Sequence, residues 1–230
     1  MTKMFLGNSM WHLITEADFV AKIVLFILLS LSIVCWAIFF YKLILFRIKR
    51  KQVATVRAAM KNVSSFEQLL EVASEHSNTL PGYFLTRNLT FLKSLLSTPD
   101  GSTKKSLSYT ELELMQQHVD QVADDILAAE ESFMPFLSTT AAVAPLLGLF
   151  GTVWGLVHSF IRIGEKQNAD IVTISPGIAA ALMTTLGGLF VAIPAFVMFG
   201  YCSSQVRRLG RDFVSISDQF IVLVQRLTTH

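Results

Sequence analysis

Two stretches of this chain carry hydroxyl groups where membrane chemistry would use them. Thr152 lies in PLLGLFGTVWGLVHSF (Pro145–Phe160), and Thr184 and Thr185 lie in SPGIAAALMTTLGGLFVAIPA (Ser175–Ala195). Both stretches are apolar and free of Asp, Glu, Lys and Arg. A hydroxyl in hydrocarbon must find a partner. One threonine alone can satisfy itself on the carbonyl a turn back. Hydroxyls on two helices better suit the wall of a narrow, partly wet passage, with Thr152, Thr184 and Thr185 lining it. His158 reads either as an interfacial polar residue bonded to backbone or water, or as a polar group at the mouth of that passage. Intramembrane ionisable groups usually mark ion pathways, and neither stretch has one. A chain that conducted protons or sodium here would need a carboxylate from another polypeptide. Other chemistries lack their residues. His12, His76, His118, His158 and His230 are scattered, and no nucleophile–base set, metal-spaced His/Cys set or phosphate-cradling loop is present. The expectation is no enzyme, no cofactor and no metal.

The residues around these hydroxyls are small. Ala144, Gly148, Thr152, Gly155 and Ser159 follow at spacings of four, four, three and four, so they share one helix face. Gly177, Ala181, Thr184 or Thr185, Gly188, Ala192 and Ala195 do the same in the other stretch. Glycine is a poor helix former, but in lipid small residues let backbones approach for close van der Waals contact. Gly148, Gly151, Gly155, Gly177 and Gly188 are therefore the candidate close-packing positions, and Pro145, Pro176 and Pro194 the candidate bends. The stripes mark interfaces, either between helices of one chain or around a passage.

The elements that must carry these faces follow from composition. The chain has 230 residues, 52% hydrophobic and only 16% charged, against about 25% charged in soluble domains. That is too little polar surface for a soluble globule. A net charge of +2 leaves no nucleic-acid footprint. Cys35 and Cys202 sit in apolar runs and read as buried thiols. A spanning helix needs about 20 apolar residues, a length met by charge-free stretches around 23–40, 141–160 and 176–201. The first is no cleaved signal, because its basic residues follow it and no cleavage site comes after.

Basic flanks set the direction. Lys42, Arg47, Lys49, Arg50 and Lys51 follow the first span and Arg207, Arg208 and Arg211 the third. The expected all-α membrane protein has a periplasmic segment 1–18 and a first span 19–41. A cytoplasmic helical region 42–134 and a second span 135–161 follow. A short periplasmic loop 162–175, a third span 176–201 and a cytoplasmic helix 202–230 complete it. Trp11 and Trp36 are candidate interfacial anchors.

Apolar residues recur at helical spacing in Leu112, Met115, Val119, Val122, Ile126, Ala129 and Phe133, and again in Val206, Leu209, Phe213, Ile216, Phe220, Leu223 and Leu227. The first seam is flanked by acidic residues and the second, near Arg207–Arg211, by basic ones. The second and third spans are thus expected to continue below the membrane as long helices, packed on each other or on neighbouring copies. The first of them would run straight into its span, with a bend at Pro135. Residues 52–96 read as helical with a break at Leu80-Pro81-Gly82, and Ser97–Thr110 as a polar loop.

The run GLFGTVWG at Gly148–Gly155, followed by SPGIAAALMTTLGGLFVAIPA, resembles the MotA/TolQ/ExbB proton channel family, with the ExbB and TolQ branches closest. ADFVAKIVLF…WAIFFYK, in and after the first span, is similar to the family's N-terminal helix. The likeness covers nearly the whole chain and is weakest in 52–110. It implies a homopentamer in the cell inner membrane. Its pore, lined by the second and third spans, would hold the membrane helices of a TolR- or ExbD-like partner bearing a single aspartate. The assembly would use the proton motive force to drive a TolA- or TonB-like protein, for envelope maintenance or macromolecule import. Family threonines thought to face the pore correspond to Thr152 and Thr185. The family commonly has glutamate in PGIAEAL where this chain has Ala180, which leaves the partner's aspartate a larger share of any proton step. His158 in GLVHSF is more like the Tol branch, while WAIFFYK and ADFVAK are at least as ExbB-like; the balance tips to TolQ. The alternative is a passive membrane scaffold whose stripes only assemble helices.

Overall fold

The computed structural model of the chain describes residues 19–61, 63, 65–97, 106–166 and 171–228. Among them are α1 (Phe19–Met60), α2 (Phe66–Glu75), α3 (Leu80–Leu96), α4 (Tyr109–Glu130), α5 (Met134–Lys166) and α6 (Ile171–Thr228), with no strand. The protein is all-α, and α1, α5 and α6 are long and apolar enough to cross a membrane. Trp11, His12 and His230 lie outside the described residues, as does most of the polar loop.

Several element boundaries differ from the sequence reading. Helix α1 does not stop after the apolar run but continues through the basic segment to Met60, because Lys, Arg, Gln and Ala are all good helix formers. Helix α6 is continuous over 58 residues, from the third apolar run through the C-terminal seam. The second span is not continuous with the seam before it. Helix α4 ends at Glu130, Phe133 takes φ 67° and α5 begins at Met134. A left-handed residue stops a helix, so Pro135 sits in the first turn of α5 and bends nothing. Pro145 lies inside α5, and Pro176 and Pro194 lie inside α6, each removing one intrahelical bond. Helices also take up much of the expected 162–175 loop, since α5 reaches Lys166 and α6 starts at Ile171.

The break at Leu80-Pro81-Gly82 is where α3 starts, with the Thr79 hydroxyl accepting from the Gly82 N–H at 3.2 Å. Helix α4 starts at Tyr109, just inside the loop expected over 97–110; the Glu111 carboxylate accepts from the Ser108 N–H at 2.8 Å.

Contacts divide the chain into two units. The first comprises 1–40 and 133–201. In it α1 packs on the other two apolar helices through Val24, Leu28, Ala144, Val191 and Ala192. Trp36 stacks on Phe40 at 5.4 Å, and Phe39 meets Tyr201 edge-on at 5.9 Å. Phe26, Phe160, Phe190 and Phe196 are about 70–80% exposed, an outer surface suited to hydrocarbon rather than water.

The second unit comprises 41–132 and 202–230. Its core joins Val56 and Met60 of α1, Leu69 of α2, Phe84 and Leu92 of α3, Met115, Val119 and Ile126 of α4, and Phe213, Ile216 and Phe220 of α6. The C-terminal seam is buried from Val206 to Leu223. The α4 seam holds from Met115 to Ile126, but Ala129 and Phe133 are exposed and Glu130 is buried instead.

Burial of Glu130 draws in two lysines. Lys42, 2% exposed, donates to the Glu130 carbonyl at 2.7 Å and to Ser132 Oγ at 3.4 Å, and its ammonium lies 5.7 Å from the Phe46 ring centre. Lys49 pairs with the Glu130 carboxylate. A cation on the last carbonyls of α4 complements the helix dipole, and it ties α1 to the point where α4 ends. Hydrogen bonds to charged groups contribute about 1.5–3 kcal/mol. Lys42→Met should therefore lower the thermal midpoint of the extracted protein, with Lys42→Arg intermediate. Calorimetry giving an unchanged midpoint for Lys42→Met would refute that role.

The hydroxyl cluster between two apolar helices

Helices α5 and α6 meet along the two small-residue stripes. A Cβ on Gly148 would lie 2.8 Å from the Thr184 carbonyl oxygen and 2.9 Å from Thr185 Cα. One on Gly188 would lie 2.5 Å from the Ala144 carbonyl oxygen. Further along, Gly151 faces Thr184, Gly155 faces Ala181 and Gly177 faces Ser159. All five candidate glycines thus look onto the opposing helix. Ala144, Ala181, Ala192 and Ala195 are buried in the same unit. This closeness brings the hydroxyls together.

The Gly148 carbonyl oxygen accepts from Thr152, Thr184 and Thr185, each at 3.1 Å. The Ala181 carbonyl accepts from Thr184 at 2.7 Å and from Thr152 at 3.2 Å. Thr152 and Thr185 also share a hydrogen bond between their hydroxyls. One carbonyl has two lone pairs, so three hydroxyls exceed what Gly148 accepts at once. The network therefore has alternative settings, in which one hydroxyl can turn away without stranding a carbonyl.

Exposure separates the three threonines. Thr184 is fully buried, whereas Thr152 and Thr185 are half-buried. One turn from these two, Leu149, Leu182 and Leu189 are exposed at 55%, 59% and 44%. The surface at this level is thus a pair of hydroxyls within an apolar rim.

His158 is half-buried on α5, six residues beyond Thr152. Ser159 donates to the Gly155 carbonyl at 2.8 Å and closes the far end of the stripe. Ala180 is buried against Ala21 of α1, so its methyl faces the first helix. Gly187 faces Leu25 and Leu28 of α1. Helix α6 thus uses one glycine of its Gly187-Gly188 pair on each neighbour, a division that spacing alone does not reveal.

Elsewhere His118 stacks on Phe91 at 4.0 Å, its Nε2 buried without a partner. Burial pushes its pKa down and Arg87 adds to the shift, so the ring is neutral at pH 7. Cys35 and Cys202 are buried free thiols. No group of three or more metal-ligating side chains occurs among the described residues.

Residues 83–214 match the MotA/TolQ/ExbB proton channel family. The chain is 28% identical to the biopolymer transport protein ExbB of Salmonella typhimurium, over 95% of this chain and 87% of that protein. It is 29% identical to the Tol-Pal system protein TolQ of Haemophilus influenzae, over 93% of this chain and 92% of that one. A shorter stretch of 79 residues is 40% identical to ExbB of Neisseria meningitidis, covering 34% of this chain and 36% of that protein.

Proposed function

Because the chain belongs to the MotA/TolQ/ExbB proton channel family, we propose that it is the multi-span subunit of an inner-membrane proton motor. In this reading copies of the chain, five from the family resemblance, surround the membrane helices of a TolR- or ExbD-like partner. The partner's aspartate carries the proton, and movement of the assembly energises a TolA- or TonB-like protein. The basic flanks after the first and third apolar runs support a periplasmic N-terminus, a cytoplasmic 42–134 region and a cytoplasmic C-terminus. His158 favours the Tol branch, in envelope maintenance.

The observation that carries the reading is the shared Gly148 carbonyl. Three hydroxyls compete for it, two of them at the surface of the charge-free stretches of the helix pair. A carboxylate brought to mid-membrane needs polar groups beside it, since an isolated charge there costs several kcal/mol. Thr152 and Thr185 can turn to it while the helices' own amides keep both backbone carbonyls satisfied and Thr184 donates to one or the other. The chain's part is to hold, orient and hydrate a proton carrier that it does not supply.

A passive scaffold draws on the same geometry, because every threonine hydroxyl here has a carbonyl partner, as pure packing would require. Flux measurement separates the two readings. Proteoliposomes holding this chain with a single-span, aspartate-bearing partner should pass protons down an imposed gradient, and the partner's Asp→Asn variant should not. Conduction by the chain alone, or flux indifferent to that aspartate, would refute the motor reading.

A further inference from the structure

The second unit leaves two opposite charges unpaired. On α4, Glu113, Asp120 and Asp124 recur at intervals of seven and four residues, which keeps them on one face within about 40°, and Glu131 follows at the helix's C-cap. All four are exposed. On α6, Arg207, Arg208 and Arg211 are exposed as well. Among the described residues the ion pairs are Lys49–Glu130, Arg57–Asp212 and a 4.0 Å approach of His76 to Glu75. None of these seven charges takes part. Helices α4 and α6 pack through apolar residues, and their complementary charges do not neutralise each other within the chain.

Their levels match. Leu127 of α4 lies 3.3 Å from where a Cβ of Gly210 would stand. With a rise of 1.5 Å per residue, Asp124, Glu131 and all three arginines fall within about 6 Å of that contact along the helices. Between the helices an open groove of about 570 Å³ is lined by Leu127, Gly210, Arg211, Val214 and Asp218. Val214 is 59% exposed beside it, between the opposite charges of Arg211 and Asp218.

Three membrane-crossing helices hold every copy at one depth and one orientation. Copies in a bilayer can then be related only by rotation about its normal, so neighbours meet through different faces at the same level. A chain with an acidic face and a basic face at one level has the surfaces such a ring needs. We propose that the acidic stripe of α4 on one copy docks on the Arg207–Arg211 side of α6 on the next, over the groove at Gly210. This rests on the oligomeric reading above and adds how the helices beyond the apolar runs close it.

Charge reversal in native membranes tests the docking, read as the yield of crosslinked oligomer at low salt. Asp120→Lys with Asp124→Lys makes both faces basic, and Arg207→Glu with Arg211→Glu makes both acidic. Either pair should cut the oligomer yield roughly tenfold, the scale expected when a few exposed ion pairs become repulsions. All four changes together restore complementarity and should recover yield to within about twofold. The neutral pair Asp120→Asn with Asp124→Asn, which adds no bulk, should fall between. Wild-type yield in both reversed pairs would overturn the docking and leave the oligomer intact. Failure of the fourfold variant to recover would overturn it too, because the acidic and basic faces would then not be each other's partners. A wild-type chain that is monomeric in the bilayer would overturn the oligomeric reading itself.

Discussion

Gly188→Ala should destabilise the α5–α6 pair by more than the loss of any buried side chain contact in that unit, and Gly188→Leu should leave no assembled complex. The first atom of either side chain would lie 2.5 Å from the Ala144 carbonyl oxygen, 3.1 Å from Gly148 Cα and 3.3 Å from the Ala144 carbonyl carbon. All three are backbone atoms of the facing helix, so no rotamer relieves the clash; α5 itself must move. Overpacking a well-packed core costs about 1–3 kcal/mol when side chains can shift, and here they cannot. Separation would also pull the Gly148 carbonyl away from the Thr184 and Thr185 hydroxyls. Gly200→Ala is the matched control, since nothing lies within 4 Å of a Cβ there and alanine is the better helix former. The measurement is the yield and thermal midpoint of protein extracted in mild detergent. If Gly188→Ala matched wild type in both, the close approach of the two helices would be refuted.

The parts of this fold that follow from periodicity were legible in the sequence. Three apolar runs become three long helices, because length and lack of charge suffice to predict them. The small-residue stripes meet as spacing implies, since one face of a helix can approach another closely only where side chains are short. Interruptions are a different matter. The turn at 131–133 depends on Phe133 adopting a conformation that phenylalanine rarely takes, and no composition rule flags it. The buried Glu130 was hidden for a related reason. A carboxylate in a run of acidic residues reads as solvated, and only the return of α1 brings Lys42 and Lys49 to it. Pairing across some 80 residues of chain leaves no local signature. At the hydroxyl cluster, residue types and faces were readable, but the convergence of three hydroxyls on one carbonyl was not. It depends on the relative rotation of two helices by a few tens of degrees.

That convergence sets the expected behaviour of the variant Thr152→Val with Thr185→Val: wild-type assembly and almost no proton flux. Valine has the shape of threonine without its hydroxyl, and swapping them normally leaves a buried polar partner unsatisfied. In this cluster it does not. Thr184 still donates toward the Gly148 carbonyl at 3.1 Å or the Ala181 carbonyl at 2.7 Å, and the helix's own amides serve both carbonyls. Interhelical hydrogen bonds in membranes average about 0.6 kcal/mol, so losing two costs roughly 1 kcal/mol, which a tightly packed helix pair tolerates. Flux is another matter. The surface would become valine within leucine, and a partner carboxylate at that level would have no donor beside it. Removing donors poised at a developing charge slows reactions on the order of a hundredfold or more, and flux in proteoliposomes should fall by about that much. Thr185→Ser in the Thr152→Val background should recover part of it, because serine restores a hydroxyl without the methyl. Thr184→Val is the contrasting case: it removes the fully buried hydroxyl that reaches from α6 to the Gly148 carbonyl of α5, so stability should drop while Thr152 and Thr185 still face the partner. Full flux in the double valine variant would mean these hydroxyls only pack helices, and the scaffold reading would take precedence. Loss of the complex would show that two half-buried hydroxyls hold α5 to α6, contrary to the redundancy that Thr184 provides.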